Sequence, residues 1–215
     1  MLGKKSILIL TDWYEPGFKA GGPIQSCLNF VAAMHDLYQI SVLTSDRDIG
    51  DKNAYPGIET GKWISREPGI TIYYAAAETL SNKVVEELIE SRKPDFLYLN
   101  SMYSYHFSIQ PMRLLWRKKI TARVILAPRG MLQWGALKFK LQKKKLFIAV
   151  LNGLGIPRQI HFHATDEQER KDVLKQFPRA GKVSVVPNFP GSLSDSTGCI
   201  EKIPGRLRCV YISRI

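Results

Sequence analysis

Short apolar runs alternate along the chain with segments whose apolar residues recur at helical spacing. The runs predict strands, most of them apolar enough to be buried on both faces, at residues 6–11, 39–44, 60–66, 70–76, 96–99, 123–127, 159–164, 182–186 and 208–212. The segments predict helices at 24–37, 81–92, 105–119, 137–154 and 166–177. This alternation predicts an α/β fold, with a parallel sheet and helices on both faces.

Three details refine this pattern. Pro68 and Gly69 lie between two predicted strands, which indicates a hairpin or a pair of strands at that point. Pro111 lies inside a predicted helix and should either kink it or mark its true start. The helix at 137–154 begins with lysines and then becomes apolar all round, so we expect its second half to be buried.

Composition excludes several classes of protein. The 215 residues are 45% hydrophobic and 10% aromatic, which is enough to form a core and excludes intrinsic disorder. No apolar run is long enough for a membrane-spanning helix, and the N-terminus does not resemble a signal peptide. Cys27, Cys199 and Cys209 show no CxxC spacing, so neither a disulfide framework nor a zinc knuckle is indicated. We expect a soluble, globular, cytoplasmic protein.

The charge is distributed unevenly. Residues 1–109 contain ten Lys or Arg and thirteen Asp or Glu, whereas residues 110–215 contain twenty-one and six, so the halves carry −3 and +15 of the total of +12. Residues 110–150 contain eleven basic residues and no acidic one. This excess of positive charge favours binding of an anionic partner, namely phosphates, a membrane surface or nucleic acid. The alternative is a basic surface that is only solvated.

Candidate chemistry lies where strands end, because open parallel sheets bind ligands beyond their carboxyl edge. Gly21 and Gly22 follow the first strand and precede a helix, where free N–H groups attract anions; a plain tight turn fits them equally well. Arg129 lies between Pro128 and Gly130 after another strand and could bind a carboxylate or phosphate bidentately.

Two further groups follow the later strands. Thr165 and Glu169 fit a capping box, although Glu169 could instead point into a cleft. His161 and His163 share one face of a strand without a cluster of acids or cysteines beside them, so we expect no metal site. The chain also contains a cluster of basic and aromatic residues, namely Trp134, Lys138, Lys140, Lys143 and Lys144, with Phe139 beside them. Such a combination suits an anionic lipid surface or a phosphate-bearing acceptor.

Taken in order, these motifs resemble the N-terminal domain of family 4 glycosyltransferases, the retaining GT-B enzymes. The resemblance covers nearly all of the chain and rests on Gly21-Gly22-Pro23, residues 127–132 with 134–138, His163-Ala164-Thr165 with Glu169, Val186-Pro187-Asn188, and residues 211–215 ending in Arg214-Ile215. It implies two Rossmann-like domains with a cleft between them, the first holding the acceptor and the second most of a nucleotide-sugar donor. It also implies a reaction without a metal or other cofactor.

The resemblance assigns roles to individual residues. It places Gly21, Gly22 and Arg214 at the donor diphosphate and Arg129 beside the transferred sugar, with Thr165, Glu169 and Asn188 as further cleft residues. Many members have His in place of Arg129, which favours charge stabilisation over a base at that position. The acceptor is expected to be a saccharide or lipid-linked molecule, in polysaccharide biosynthesis at the inner face of a membrane.

The resemblance also divides the chain. Residues 1–190 would form the acceptor-binding domain, 191–205 a linker, and 206–215 the first strand of a donor-binding domain that is otherwise absent, so we expect this chain alone to transfer no sugar. The alternative is a non-catalytic Rossmann-like module that binds nucleic acid or a protein through its basic half, although no recognised nucleic-acid-binding motif is visible.

Overall fold

The computed structural model describes residues 3–191. Eight strands form one sheet in the order β3-β4-β2-β1-β5-β6-β7-β8. The strands are β1 (Ser6–Leu10), β2 (Gln39–Ser45), β3 (Trp63–Glu67), β4 (Ile70–Ala75), β5 (Phe96–Leu99), β6 (Arg123–Leu126), β7 (His161–Ala164) and β8 (Lys182–Val185). The helices are α1 (Gly22–Met34), α2 (Asn82–Arg92), α3 (Gln110–Trp116), α4 (Trp134–Lys138), α5 (Leu141–Gly153) and α6 (Glu167–Gln176).

The sheet is parallel except for β3, which pairs antiparallel with β4 through the turn at Pro68 and Gly69. The prediction of a Rossmann-like α/β fold is therefore confirmed. Strand β1 lies between β2 and β5. Strands β2, β4 and β3 lie on one side of β1, and strands β5 to β8 lie on the other. Such folds bind ligands beyond the carboxyl ends of the strands where the direction changes, here β1 and β5, and we call this region the crevice.

Alternate residues of each strand enter two separate cores. Leu8 and Leu10 of β1 belong to a core that includes residues of α2, α3, α5 and α6. Ile7 and Ile9 face the other side, in a core with Cys27 and residues of α1. Helices therefore lie on both faces of the sheet, as predicted, with α1 on one face and the others on the opposite face.

Two predicted helices are divided in the structure. Residues 105–119 form a five-residue π-helical turn, Tyr105–Ile109, followed by α3, so Pro111 marks the start of the α-helix. The helix predicted at 137–154 is interrupted between α4 and α5, where Phe139 is extended and Lys140 has a φ of 56°.

The expectation that the second half of that helix is buried all round is wrong. Ile148 and Leu151 of α5 are buried, but Leu146 and Val150 on its other side are 67% and 47% exposed. The helix therefore has an apolar side toward the core and another toward solvent.

The predicted strand at 208–212 and nearly all of the predicted linker lie outside the described residues. None of the helices within residues 3–191 combines the length and the hydropathy that crossing a membrane requires.

Candidate functional site

The carboxyl ends of β1 and β5 bring the first polar residues after each strand together. Asn100 follows β5, and its backbone N–H donates to the Leu10 carbonyl oxygen at the end of β1, over 2.9 Å. The Asn100 side-chain nitrogen lies 3.4 Å from Thr11 Oγ1 and 3.5 Å from the Pro23 carbonyl oxygen in the first turn of α1. Asn100 is thus placed at the floor of the crevice, next to the start of α1.

Arg129 extends into this crevice from the loop after β6. Its Nε donates to Asn100 Oδ1 over 2.7 Å, one terminal nitrogen donates to the Tyr98 hydroxyl oxygen over 3.0 Å, and the other donates to Asn188 Oδ1. Acceptors from β5, from the residue after it and from the segment after β8 therefore fix the guanidinium plane. An arginine held this way presents its remaining N–H groups in a defined direction.

The hydroxyl of Tyr98 connects Arg129 to His163. His163 Nε2 lies 2.8 Å from the Val186 carbonyl oxygen, and its Nδ1 lies 2.7 Å from the Tyr98 hydroxyl. Burial lowers the pKa of His163, with the Arg129 charge adding to the effect, so the ring is neutral near pH 7. Because a carbonyl oxygen only accepts, Nε2 carries the proton and Nδ1 accepts from Tyr98, whose oxygen accepts from Arg129. Burial raises the pKa of Tyr98 to about 12 and keeps its hydroxyl protonated.

The Glu169 side chain holds the loop after β6 that carries Arg129. Its carboxylate accepts from the Gly130 N–H over 2.6 Å, the Thr165 N–H over 2.7 Å and the Thr165 hydroxyl over 2.8 Å. It is 1% exposed, so its oxygens face these donors and not the crevice. Arg129 and Gly130 have φ values of 54° and 72°, and this left-handed pair is what the carboxylate holds in place.

The capping interaction differs from the predicted one in its N-cap residue. Asp166, and not Thr165, caps α6 by accepting from the Glu169 N–H over 2.7 Å, while Glu169 bonds back to Thr165. The capping-box interpretation of Thr165 and Glu169 thus describes the local bonds well, shifted by one residue. In addition, Glu169 reaches Gly130 in a loop 39 residues away.

The N-terminus of α1 provides one amide rather than two. The Gly21 N–H donates to the Phe18 carbonyl oxygen, and Pro23 has no N–H. Among residues 3–191, the Gly22 N–H meets no acceptor. Gly21 has φ 65° and ψ −117°, a conformation that residues with a Cβ rarely adopt, so glycine is needed there to turn the chain into α1.

The crevice is electropositive. Arg129 forms no ion pair with any carboxylate in residues 3–191. Its three acceptors within that part of the chain are neutral, and they leave two of its five N–H groups for a ligand. The first turn of α1 contains no acidic residue and adds the positive end of its dipole. The arrangement can bind an anion such as a phosphate group.

Asp12 is a further polar residue at this edge that sequence reasoning did not select. Its carboxylate accepts from the Ser104 hydroxyl over 2.6 Å. Burial raises the pKa of Asp12, and the hydrogen bond from Ser104 offsets only part of that effect. Asp12 could have been found in the same way as Arg129, because both residues lie just beyond the end of a strand.

Tyr98 and Asn100 were also missed as site residues, and His163 was considered only as a metal ligand and as part of a family motif. Asn100 directly follows a strand and could have been found by that signal. Tyr98 and His163 lie inside strands, where only the pairing of β5, β6 and β7 shows that their side chains meet.

The predicted acceptor or membrane surface does not belong to this crevice. Trp134 and Phe139 are 65% and 75% exposed on α4 and at the α4–α5 junction. The Lys138 ammonium lies 5.5 Å from the Trp134 ring centre. Lys140 and Lys143 are exposed as well.

Lys144 is the exception in that set. Its ammonium donates to the Ala136 carbonyl oxygen over 2.6 Å and lies 4.9 Å from the Tyr103 ring centre. Lys144 therefore differs from the other lysines of the predicted surface, because its ammonium joins α4 to α5.

Two remaining predictions concern Arg214 and metals. Arg214 lies outside the described residues. In residues 3–191, no three His, Cys, Asp or Glu side chains lie close enough together to hold a metal ion.

Comparisons with known proteins show no family for this chain. No family model matches the sequence, and no curated protein matches it. Among solved structures, a sucrose-phosphate synthase from Thermosynechococcus elongatus is similar, with 12% sequence identity and a TM-score of 0.47. The similarity covers 87% of this chain and 90% of that one.

Proposed function

We propose that this chain is the N-terminal, acceptor-side domain of a family 4 GT-B glycosyltransferase. The whole enzyme would transfer a sugar from a nucleotide-sugar donor to a saccharide or lipid-linked acceptor, with retention. The observation that carries the proposal is the Arg129 guanidinium, held beside the start of α1 with no carboxylate partner in residues 3–191. A nucleotide sugar carries its charge on the diphosphate, which is the group that this arrangement suits.

The way the motifs converge supports the proposal. Gly22, Arg129, Glu169 and Asn188 come from four separate motifs of the resemblance. The structure places Arg129, Glu169 and Asn188 in one hydrogen-bonded cluster, and Asn100 lies between Arg129 and the turn of α1 that begins at Gly22. A chance set of surface motifs would have no reason to meet at the switch point of the sheet.

The proposed reaction breaks the bond between the anomeric carbon and a diphosphate oxygen and forms a bond to the acceptor hydroxyl oxygen. The acceptor proton leaves on the nucleoside diphosphate. Negative charge grows on the departing oxygen, so Arg129 and the Gly22 N–H would stabilise the transition state more than the bound donor. Arg214 is proposed to add a second cation, and these positive groups would make a metal ion unnecessary.

Other site residues are proposed to act through Arg129. Glu169 and Thr165 fix the loop that carries it, while Tyr98, Asn100 and Asn188 orient its guanidinium. These are positioning residues, because their polar groups bond to protein atoms. Asp12 lies at the same edge and is available to orient an acceptor hydroxyl.

The test is binding of UDP and GDP to the 215-residue chain at millimolar concentration, followed by broadening of the 31P resonances. We expect Arg129→Gln to weaken binding about tenfold or more, since charge-assisted hydrogen bonds are lost. Arg123→Gln is the matched control, because Arg123 is exposed at the opposite, amino end of the same strand. It should change the affinity less than about twofold.

Equal loss in both variants, or no broadening in the wild-type chain, would overturn the diphosphate site. Binding of single-stranded or duplex nucleic acid with a steep salt dependence, in the absence of nucleotide binding, would favour the non-catalytic module instead.

The chain alone is expected to transfer no labelled sugar from a nucleotide sugar to acceptors. Turnover by the chain would show that it needs no second domain.

A further inference from the structure

Helices α4 and α5 present apolar and basic side chains together on one exposed surface. Leu146, Val150 and Leu154 recur every four residues along α5 and its end, and all three are exposed. At 1.5 Å per residue they form a stripe about 12 Å long. Trp134 and Phe139, on the segment that precedes α5, are also exposed, at 65% and 75%. We call these five residues and the exposed lysines among them the basic–apolar face.

The lysines of this face lie before the apolar stripe and to one side of it. With 100° per residue, Lys143 and Lys145 fall on opposite sides of Leu146 around the axis of α5, and Lys138 and Lys140 precede the helix. The sequence from Trp134 to Leu154 contains no acidic residue. Among residues 3–191, no ion pair involves any of these lysines.

The apolar side chains of the stripe do not belong to the core. Ile148 and Leu151 already fill the inward side of α5. Exposed leucine and valine in a row, with an exposed aromatic pair on the preceding segment, indicate a contact with another apolar phase. The lysines require that the same partner be anionic.

From these observations we propose that the basic–apolar face docks onto an anionic lipid bilayer. The apolar side chains would enter the boundary between headgroups and acyl chains, and the lysines would lie among the headgroups. A second copy of this chain is disfavoured, because a symmetric contact would bring two acid-free lysine clusters together. Nucleic acid matches the lysines but offers nothing to the aliphatic stripe.

Membrane docking through this face does not require sugar transfer. If the chain also has the proposed function, docking bears on the kind of acceptor. Trp134 follows Arg129 by five residues, so docking through this face would keep the carboxyl edge of the sheet near the bilayer surface. That position favours an acceptor carried on a lipid over a free saccharide.

Co-sedimentation with vesicles tests the proposal with the 215-residue chain. Vesicles of phosphatidylcholine with about a third phosphatidylglycerol should retain the protein at low salt and release it at high salt, and pure phosphatidylcholine should retain little. Lys143→Gln with Lys145→Gln should lower the partition coefficient roughly 30-fold. The control pair Lys171→Gln with Lys175→Gln on α6 should lower it far less.

A second pair of substitutions tests the exposed aliphatic side chains of α5 without changing the net charge. Leu146→Ser with Val150→Ser should weaken vesicle binding roughly tenfold or more. Leu37→Ser is the matched control, because Leu37 is 65% exposed three residues after α1, outside the face. Circular dichroism should show that all these surface variants remain folded.

Several outcomes would overturn the proposal. These are no binding of the folded wild-type chain to anionic vesicles at low salt, binding that Leu146→Ser with Val150→Ser leaves unchanged, or a wild-type dimer in sedimentation equilibrium that the same variant dissociates. Arg129→Gln should bind vesicles like the wild-type chain. The two proposals can therefore fail separately.

Discussion

Arg129 and the lysines of α4 and α5 belong to the same acid-free stretch of sequence, but the fold gives them opposite surroundings. Neutral groups from β5, from the residue after it and from the segment after β8 fix the Arg129 guanidinium. Lys143 and Lys145 extend from the solvent side of α5 next to exposed leucine and valine. The first region uses one oriented charge, and the second uses several loosely placed ones.

The difference teaches what kind of anion each region suits. A guanidinium whose plane is fixed can recognise a phosphate group of defined position, because little freedom is lost on binding. Mobile lysines beside apolar side chains give attraction to a surface without selecting one group on it. The fixed charge depends on buried polar support, so substitutions in that support should lower stability, whereas substitutions on the basic–apolar face should not.

The largest expected effect is the removal of the Glu169 carboxylate. Glu169→Ala leaves the Gly130 and Thr165 donors without their acceptor in a buried place, so we expect a loss of about 4 kcal/mol in the free energy of unfolding. Urea denaturation of the 215-residue chain measures it. Glu167→Ala on the exposed side of α6 serves as the control, and a similar loss in both variants would contradict the supporting role of Glu169.

The next effect compares the two apolar sides of α5. Ile148→Ala removes a buried side chain and should lower the free energy of unfolding by about 3 kcal/mol. Leu146→Ala, two residues earlier and facing solvent, should change it by less than about 0.5 kcal/mol. Thermal and urea unfolding give both values. A large loss for Leu146→Ala would mean that this side chain is covered in solution and that the basic–apolar face is not open.

The fold was predictable from the sequence because its signals are local. Buried parallel strands give continuous apolar runs, and helices give apolar residues at helical spacing, so both kinds of element could be placed to within a few residues. The break between α4 and α5 was not visible, since no glycine or proline marks Phe139 and Lys140. Its support comes from Lys144, whose contacts with Ala136 and Tyr103 exist only in the folded protein.

The candidate site was predictable in part for the same reason. Arg129 lies three residues after β6 and the glycine pair ends the loop between β1 and α1, and both positions can be recognised in the sequence. Tyr98 and His163 lie within β5 and β7, and their contact depends on β6 being between those strands. Glu169 was recognised as a capping residue, but its bond to Gly130 joins loops 39 residues apart and has no local signal.

The smallest expected effect is a pH dependence that originates at His163. Its pKa is lowered in the folded protein by burial and by the Arg129 charge, whereas an unfolded histidine titrates near pH 6.5, at about its ordinary value. The unfolded chain therefore binds more protons as the pH falls below about 6.5, and stability is lost in that range, by up to about 1 kcal/mol at pH 5.5.

His106 and His161 also have lowered pKa values, because burial disfavours their charged forms, so the wild-type dependence contains all three histidines. The difference between the wild-type chain and His163→Gln in thermal unfolding at pH 5.5 and 7 isolates the contribution of His163. Tyr98→Phe should reduce that contribution, because Nδ1 then loses the hydroxyl that occupies its lone pair and accepts a proton more easily. If His163→Gln keeps the full pH dependence, the lowered pKa of His163 does not contribute to it.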